Sequence, residues 1–219
     1  MSVRDLEEQL AIANKRLDDA ASSCLNGGDW NELRAAKALA LNLERELAAA
    51  RDEEHAVPLA FPVRWSTGAP LPHLLQSDYW TFLTFYVRED DPAWDGTYVT
   101  VKDPGSGVVE SLALVEFVNC DSARLGSPND EVLNGHRLDG KGLESYTAQE
   151  VVNSSWLSEL ERINSVHQCY EPEYWRRRHH YIFWFHDTTF ECIAESFKVE
   201  LFRTTMAELL NIVCKRLLK

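Results

Sequence analysis

The sequence predicts an α+β protein: an N-terminal antiparallel helical hairpin, then a domain with an antiparallel sheet packed by two or three helices. Three observations predict it. Two stretches before residue 55 carry apolar residues alternately three and four apart, the period of a helix seam. Segments rich in aromatic and β-branched residues, bounded by turn signals, follow residue 77. The seven Trp, seven Tyr and nine Phe lie almost wholly after residue 60, so the large core belongs there.

In the first stretch, residues 3–21, the seam is Val3, Leu6, Leu10, Ala13 and Leu17. In the second, residues 30–54, it is Leu33, Ala36, Ala40, Leu43, Leu47 and Ala50. Between them, Gly27 and Gly28 can end one helix and Asp29 can cap the next. Two helices bury too little surface to stand alone. Residues 1–54 must therefore pack on the rest of the chain, on a second copy or on another protein.

Pro58, Pro62, Pro70 and Pro72 mark residues 55–77 as a linker, and residues 78–219 are left as the α+β domain. Residues 79–87 read as a strand. Residues 98–101 and 108–118 flank Asp103-Pro104-Gly105-Ser106-Gly107 and read as a hairpin. Residues 119–146 are polar, without a period, and read as a long loop. Thr147-Ala148-Gln149-Glu150 has the form of a capping box, opening a helix that carries Val152, Trp156, Leu160 and Ile163. A proline-led short helix ends in Arg176-Arg177-Arg178. Two aromatic strands, residues 180–186 and 189–197, precede a final helix over residues 204–218.

The formal net charge is −13; the first 54 residues hold 12 acidic and 7 basic side chains. A diffuse negative field repels phosphate backbones, so a nucleic-acid partner is not expected, whereas a basic protein is compatible with it. Five cysteines, Cys24, Cys120, Cys169, Cys192 and Cys214, are odd in number and widely spaced, which fits reduced thiols in the cytoplasm. The charged N-terminus does not read as a signal peptide, and no apolar run is long enough to span a membrane.

The stretch from His180 to Glu195 carries the most chemistry. If Asp187-Thr188 is the centre of a symmetric hairpin, Phe185 faces Phe190, Phe183 faces Cys192 and Tyr181 faces Ala194, making one apolar side. The other side pairs His186 with Thr189, Trp184 with Glu191, Ile182 with Ile193 and His180 with Glu195. His186, Glu191, His180 and Glu195 are then candidate acid–base residues, because a carboxylate beside an imidazole raises its basicity and fixes its tautomer. An enzyme of this kind, most simply a hydrolase, needs that face to line an open cleft. Trp184 on the same face is a candidate binding residue, and Arg176, Arg177 and Arg178, with Trp175 and His179, form a basic-aromatic patch that can receive an acidic or phosphorylated group or simply be a solvated helix end. Cys192 and His186 fall on opposite faces, which argues against a thiol–imidazole dyad.

The weaker signals point to no cofactor and no metal. Gly135-His136-Arg137-Leu138-Asp139-Gly140-Lys141-Gly142 lacks the Ser/Thr a phosphate loop needs after its lysine and reads as a glycine turn. The cysteines and histidines have no zinc-motif spacing.

The runs Gly135-His136, Gly140-Lys141-Gly142-Leu143, Val152-Asn153-Ser154-Ser155-Trp156-Leu157 and Asn164-Ser165-Val166-His167 lead to Phe185-His186-Asp187-Thr188-Thr189-Phe190-Glu191-Cys192. Together, over roughly residues 110–200, they resemble a group of bacterial proteins without an established activity. The resemblance implies a bacterial, cytoplasmic protein and transfers no catalytic residue. The hairpin before residue 55 lies outside it.

These readings combine into a non-enzymatic protein-interaction module that takes a protein partner or self-associates through the N-terminal hairpin. Binding a basic partner, as an immunity- or defence-associated bacterial protein does, suits the charge. The rivals are the hydrolase above and a structural subunit of a homo-oligomeric assembly.

Overall fold

A computed structural model describes residues 1–89 and 102–219. The α+β class holds. Helices α1 (Val3–Cys24) and α2 (Trp30–Ala50) form the hairpin. Ser2 and Asp5 make a reciprocal capping box on α1, and Asp29 accepts the Asn31 amide at the start of α2. Leu6, Leu10, Ala13 and Leu17 of α1 meet Ala40, Leu43 and Leu47 of α2, as the seam predicts. The hairpin also packs on its own chain. Arg45 Nη2 donates to the Gly142 carbonyl at 2.9 Å and Nε to the Ala56 carbonyl at 3.1 Å, while the Gly142 amide donates to Glu44 at 3.0 Å. Lys37 pairs with Glu144 at 3.0 Å.

The rest of the chain is two facing antiparallel sheets rather than one. The first takes β1 (His55–Pro58), β5 (Ser122–Gly126), β6 (Ala148–Val152), β7 (His179–Trp184) and β8 (Thr189–Ala194), in the order β1-β6-β7-β8-β5. The second takes β2 (His73–Gln76), β3 (Thr81–Tyr86), β4 (Glu110–Val118) and β9 (Ser196–Thr204), in the order β2-β3-β4-β9. Leu83, Phe85, Ala113, Val115 and Phe117 of one sheet pack on Tyr181, Phe183, Phe190 and Cys192 of the other, closed at one edge by Trp65. The outer face of the four-stranded sheet, with Phe82, Leu112 and Leu114, is covered by α5 (Met206–Leu217). Helix α3 (Ser155–Asn164) contacts β7 of the other sheet, so the helices serve two different faces. A short α4 (Pro172–Arg176) leads into β7.

Four expectations need correction. The 55–77 linker contains β1 and β2, because its ends find edges: His55 pairs with Val152 and His73 with Thr84. Pro58 sits at the end of an edge strand, where its missing N–H costs little. The 119–146 loop contains β5 and a 3-10 turn over Asp130–Gly135. The capping box at Thr147 is not used. Residues 149–152 pair with β1, and residues 148–150 with β7, so sheet pairing overrides the local signal. The helix starts later, with Ser154 accepting the Leu157 amide at 3.0 Å. The strand expected over residues 189–197 breaks at Glu195, and its two parts join different sheets. The strand expected at residues 98–101 lies outside the described residues.

Candidate functional site

Strands β7 and β8 pair about a turn at His186-Asp187, one residue earlier than the sequence suggests. Phe183 therefore faces Phe190, Tyr181 faces Cys192, Ile182 faces Glu191 and His180 faces Ile193. Each pair shifts by two residues, which leaves the two sides of the hairpin unchanged. The phenyl rings go to the core between the sheets, and His180, Trp184 and Glu191 go to the other side.

The shift changes the partners. His180 and Glu191 become diagonal neighbours, and His180 Nε2 lies 2.9 Å from Glu191 Oε2. His180 Nδ1 lies 2.7 Å from Ser154 Oγ. Glu191 also accepts from Arg124 at 2.6 and 3.1 Å and from Arg137 at 3.1 Å. Arg137 Nε reaches on to Glu54 at 3.1 Å, and Glu54 accepts the Ser155 amide at the start of α3 at 2.9 Å. The Trp156 ring stands edge-on to His180 at 5.2 Å and carries the Arg124 guanidinium on its face at 4.6 Å.

The network fixes its own protons. Burial pushes the Glu191 carboxyl up, but the His180 hydrogen bond and the charges around it, Arg137 and Arg124 included, outweigh this and hold it at about 2. Glu191 is therefore ionised and only accepts. Burial, the larger effect, lowers His180 against the pull of Glu191, so the imidazole is neutral. The single ring proton then belongs on Nε2, facing Glu191, and Nδ1 accepts from the Ser154 hydroxyl. Ser154 in turn accepts from Leu157 N–H, so every polar atom along this line has a partner.

The same line is closed. The His180 side chain is 0% exposed and that of Glu191 5%, and Ser154 is buried. Helix α3 and Arg124 lie over a face that the hydrolase reading needs open. The chain Ser–His–Glu has the order of a nucleophile, its base and the group that orients the base. Its geometry here is that of an internal clamp joining the α2–β1 connection, β5, β7, β8, α3 and the segment around Arg137.

The remaining candidates are dispersed. His186 is not on the strand opposite Thr189; it sits half-exposed in the turn and bonds Asp187 at 2.8 Å. Glu195 does not meet His180, since it follows β8; it accepts from Asn119 at 2.7 Å and Arg178 at 3.2 Å. Trp184 is fully buried, and its partner across the strands is Thr189, not Glu191. The three arginines do not form one patch. Arg178 is buried, bonds Asp121 at 2.5 Å and lies 3.6 Å from the Tyr174 ring centre. Arg177 approaches Glu195 at 3.7 Å, and Arg176 pairs with Glu173 on its own helix.

Cys192 lies in the core, where burial raises its thiol well above the ordinary range. Cys120 bonds the Ser122 carbonyl at 3.4 Å and contacts Cys192, whose hydrogen bond lowers the Cys120 pKa. Both are remote from the imidazole face. Among the described residues, no group of three or more His, Cys, Asp or Glu is placed to hold a metal ion. No helix among them is long and apolar enough to cross a membrane.

Comparison with known proteins gives no likeness: no family model, curated protein or solved structure matches this chain.

Sequence reasoning missed Ser154, Arg124, Arg137 and Glu54. One signal was available for Arg124: it faces Glu191 directly in the β5–β8 register, once β5 is recognised as a strand. Arg137, Glu54 and Ser154 reach the site from connections whose course no local pattern encodes.

Proposed function

We propose that the protein is a non-enzymatic interaction module that receives a protein partner at the free end of its helical hairpin. The observation that carries this reading is the exposure of Leu25 (90%) and Trp30 (62%) at that end. Trp is enriched among residues that dominate binding energy, and both side chains stand in solvent at the connection between the two helices. The hairpin is held at its other end. Among the described residues, its ion pairs and hydrogen bonds to the rest of the chain run from Lys37 onward. Lys37 lies eight residue steps along the helix from the Asp29 cap, which places the tip roughly 12 Å past the last such contact. The net charge of −13 favours a basic partner, as in an immunity- or defence-associated protein. The five free thiols suit the cytoplasm.

The test is quantitative affinity purification of the full chain and of Leu25→Ser/Trp30→Ser from native lysate. A protein retained by the parent and lost by the double variant, at unchanged thermal stability, supports the reading. Equal recovery by both chains refutes it.

The hydrogen-bond order Ser154–His180–Glu191 favours a second reading, a serine hydrolase. A fluorophosphonate probe separates the two. Labelling of Ser154 in the native chain, lost in His180→Ala, would establish the hydrolase; its absence leaves the clamp as the function of that line.

A further inference from the structure

Strand β9 ends the strand order of the four-stranded sheet. It spans nine residues, pairs with β4 along its whole length and, among the described residues, has no strand on its other side. Leu201 is 63% exposed although it shares a face with Phe197 and Val199, which pack on the core between the sheets. The opposite face carries Lys198, held by Glu116 at 3.2 Å, and Glu200, held by Arg216 at 2.9 Å. Lys198, Glu200, Leu201 and Arg203 are all exposed.

We propose that two copies of this chain pair antiparallel through β9, on a two-fold axis at Val199, and so join their four-stranded sheets. The register follows from side-chain chemistry. In a continuous antiparallel sheet, residues directly opposite share a face, so a two-fold axis normal to the sheet must pass through a residue position rather than between two. An axis at Lys198 sets lysine against lysine, and one at Glu200 sets glutamate against glutamate; both are unfavourable. An axis at Leu201 sets Glu200 against Phe202 and Val199 against Arg203. Only the Val199 axis, among these four, sets Lys198 against Glu200, and symmetry makes it do so twice. The charges then alternate across the join: Glu116, Lys198, the partner copy's glutamate at position 200, and its arginine at 216. On the other face the same axis places exposed Leu201 against Phe197, removing the one large apolar side chain that β9 leaves in water.

A lone strand edge buries less than the roughly 1,200 Å² of a stable interface, so the dimer is weak and depends on concentration. A lysine on an edge strand is also a known guard against pairing. The two roles predict opposite outcomes for the same substitutions.

The experiment is sedimentation velocity on the full chain up to millimolar concentration, with Lys198→Glu and Glu200→Lys. Each variant alone sets two like-charged pairs across the join and should weaken self-association at least about tenfold. Mixed together they restore opposite charges at both positions and should form a heterodimer near the parental affinity. Val199→Cys, in a Cys169→Ser/Cys214→Ser background, tests the axis. Paired Cα atoms about 4.5–5.5 Å apart can form an intermolecular disulfide. A monomer at every concentration overturns the proposal, as does tighter association by Lys198→Glu, which the guard role predicts. A dimer abolished by Leu25→Ser/Trp30→Ser but indifferent to position 198 also overturns it, and assigns self-association to the hairpin instead. Failure here leaves the hairpin reading standing, because the two surfaces share no residue.

Discussion

Glu191→Gln should cost about 3 kcal/mol of stability at neutral pH, and most of that cost should vanish in acid. The carboxylate accepts two hydrogen bonds from Arg124, one from Arg137 and one from His180, with its side chain 5% exposed. A carboxyl whose pKa falls from 4.5 to about 2 on folding contributes about 3 kcal/mol, at about 1.4 kcal/mol per pH unit. The sign follows from the depressed native pKa. The stabilisation is complete above the unfolded value of 4.5 and is lost as pH falls through the native value near 2. At pH 3, between the two, less than half should remain. Urea unfolding of both chains at pH 7 and pH 3 measures this. The expected difference is about 3 kcal/mol at pH 7, shrinking to about 1.4 kcal/mol at pH 3. A difference under about 1 kcal/mol at pH 7, or one that does not shrink in acid, would refute the clamp.

Three further outcomes follow from the same geometry. Ser154→Ala removes both the cap on α3 and the donor to His180 Nδ1, and should cost about 1–3 kcal/mol by urea unfolding. The hydrogen bond that His186 Nδ1 donates to Asp187 raises the His186 pKa above its ordinary value, so Asp187→Asn should bring it down in an NMR titration of the ring protons, with His180 unmoved. Gly142→Ala should destabilise by more than about 1 kcal/mol in thermal melts: φ there is +80°, and a Cβ would lie 2.7 Å from the Ala56 carbonyl oxygen and collide with Arg45.

The hairpin was legible in the sequence because its seam repeats over five turns and its caps are local: Ser2, Asp29 and the glycines state where each helix stops. The two faces of β7 and β8 were legible for the same kind of reason. Alternation sends Phe183 and His180 to opposite sides whatever the exact turn. The turn lies one residue earlier than the sequence predicts, because Asp187-Thr188 and His186-Asp187 are equally compatible with that alternation. This moved Glu191 from Trp184 to Ile182 and gave it to His180 along the diagonal. Edge strands were the least legible. Residues 55–58 and 122–126 are short and carry prolines or glycine nearby, and they become strands only because β6 and β8 offer them unpaired edges. The false cap at Thr147 fails for that reason too: the pairing of residues 149–152 with β1 and of 148–150 with β7 outweighs one local capping interaction. The site was half visible, since His180 and Glu191 come from one hairpin, whereas Arg124 comes from β5 and Arg137, Glu54 and Ser154 arrive from three separate connections.

Hydrogen–deuterium exchange on the protein with and without its captured partner bears most directly on the central claim. Slowed exchange confined to residues 20–34, with the β7–β8 hairpin unchanged, is the predicted result. Slowed exchange over α3 and β7 instead, with the hairpin tip still exchanging freely, would contradict it and return the search to the His180 face.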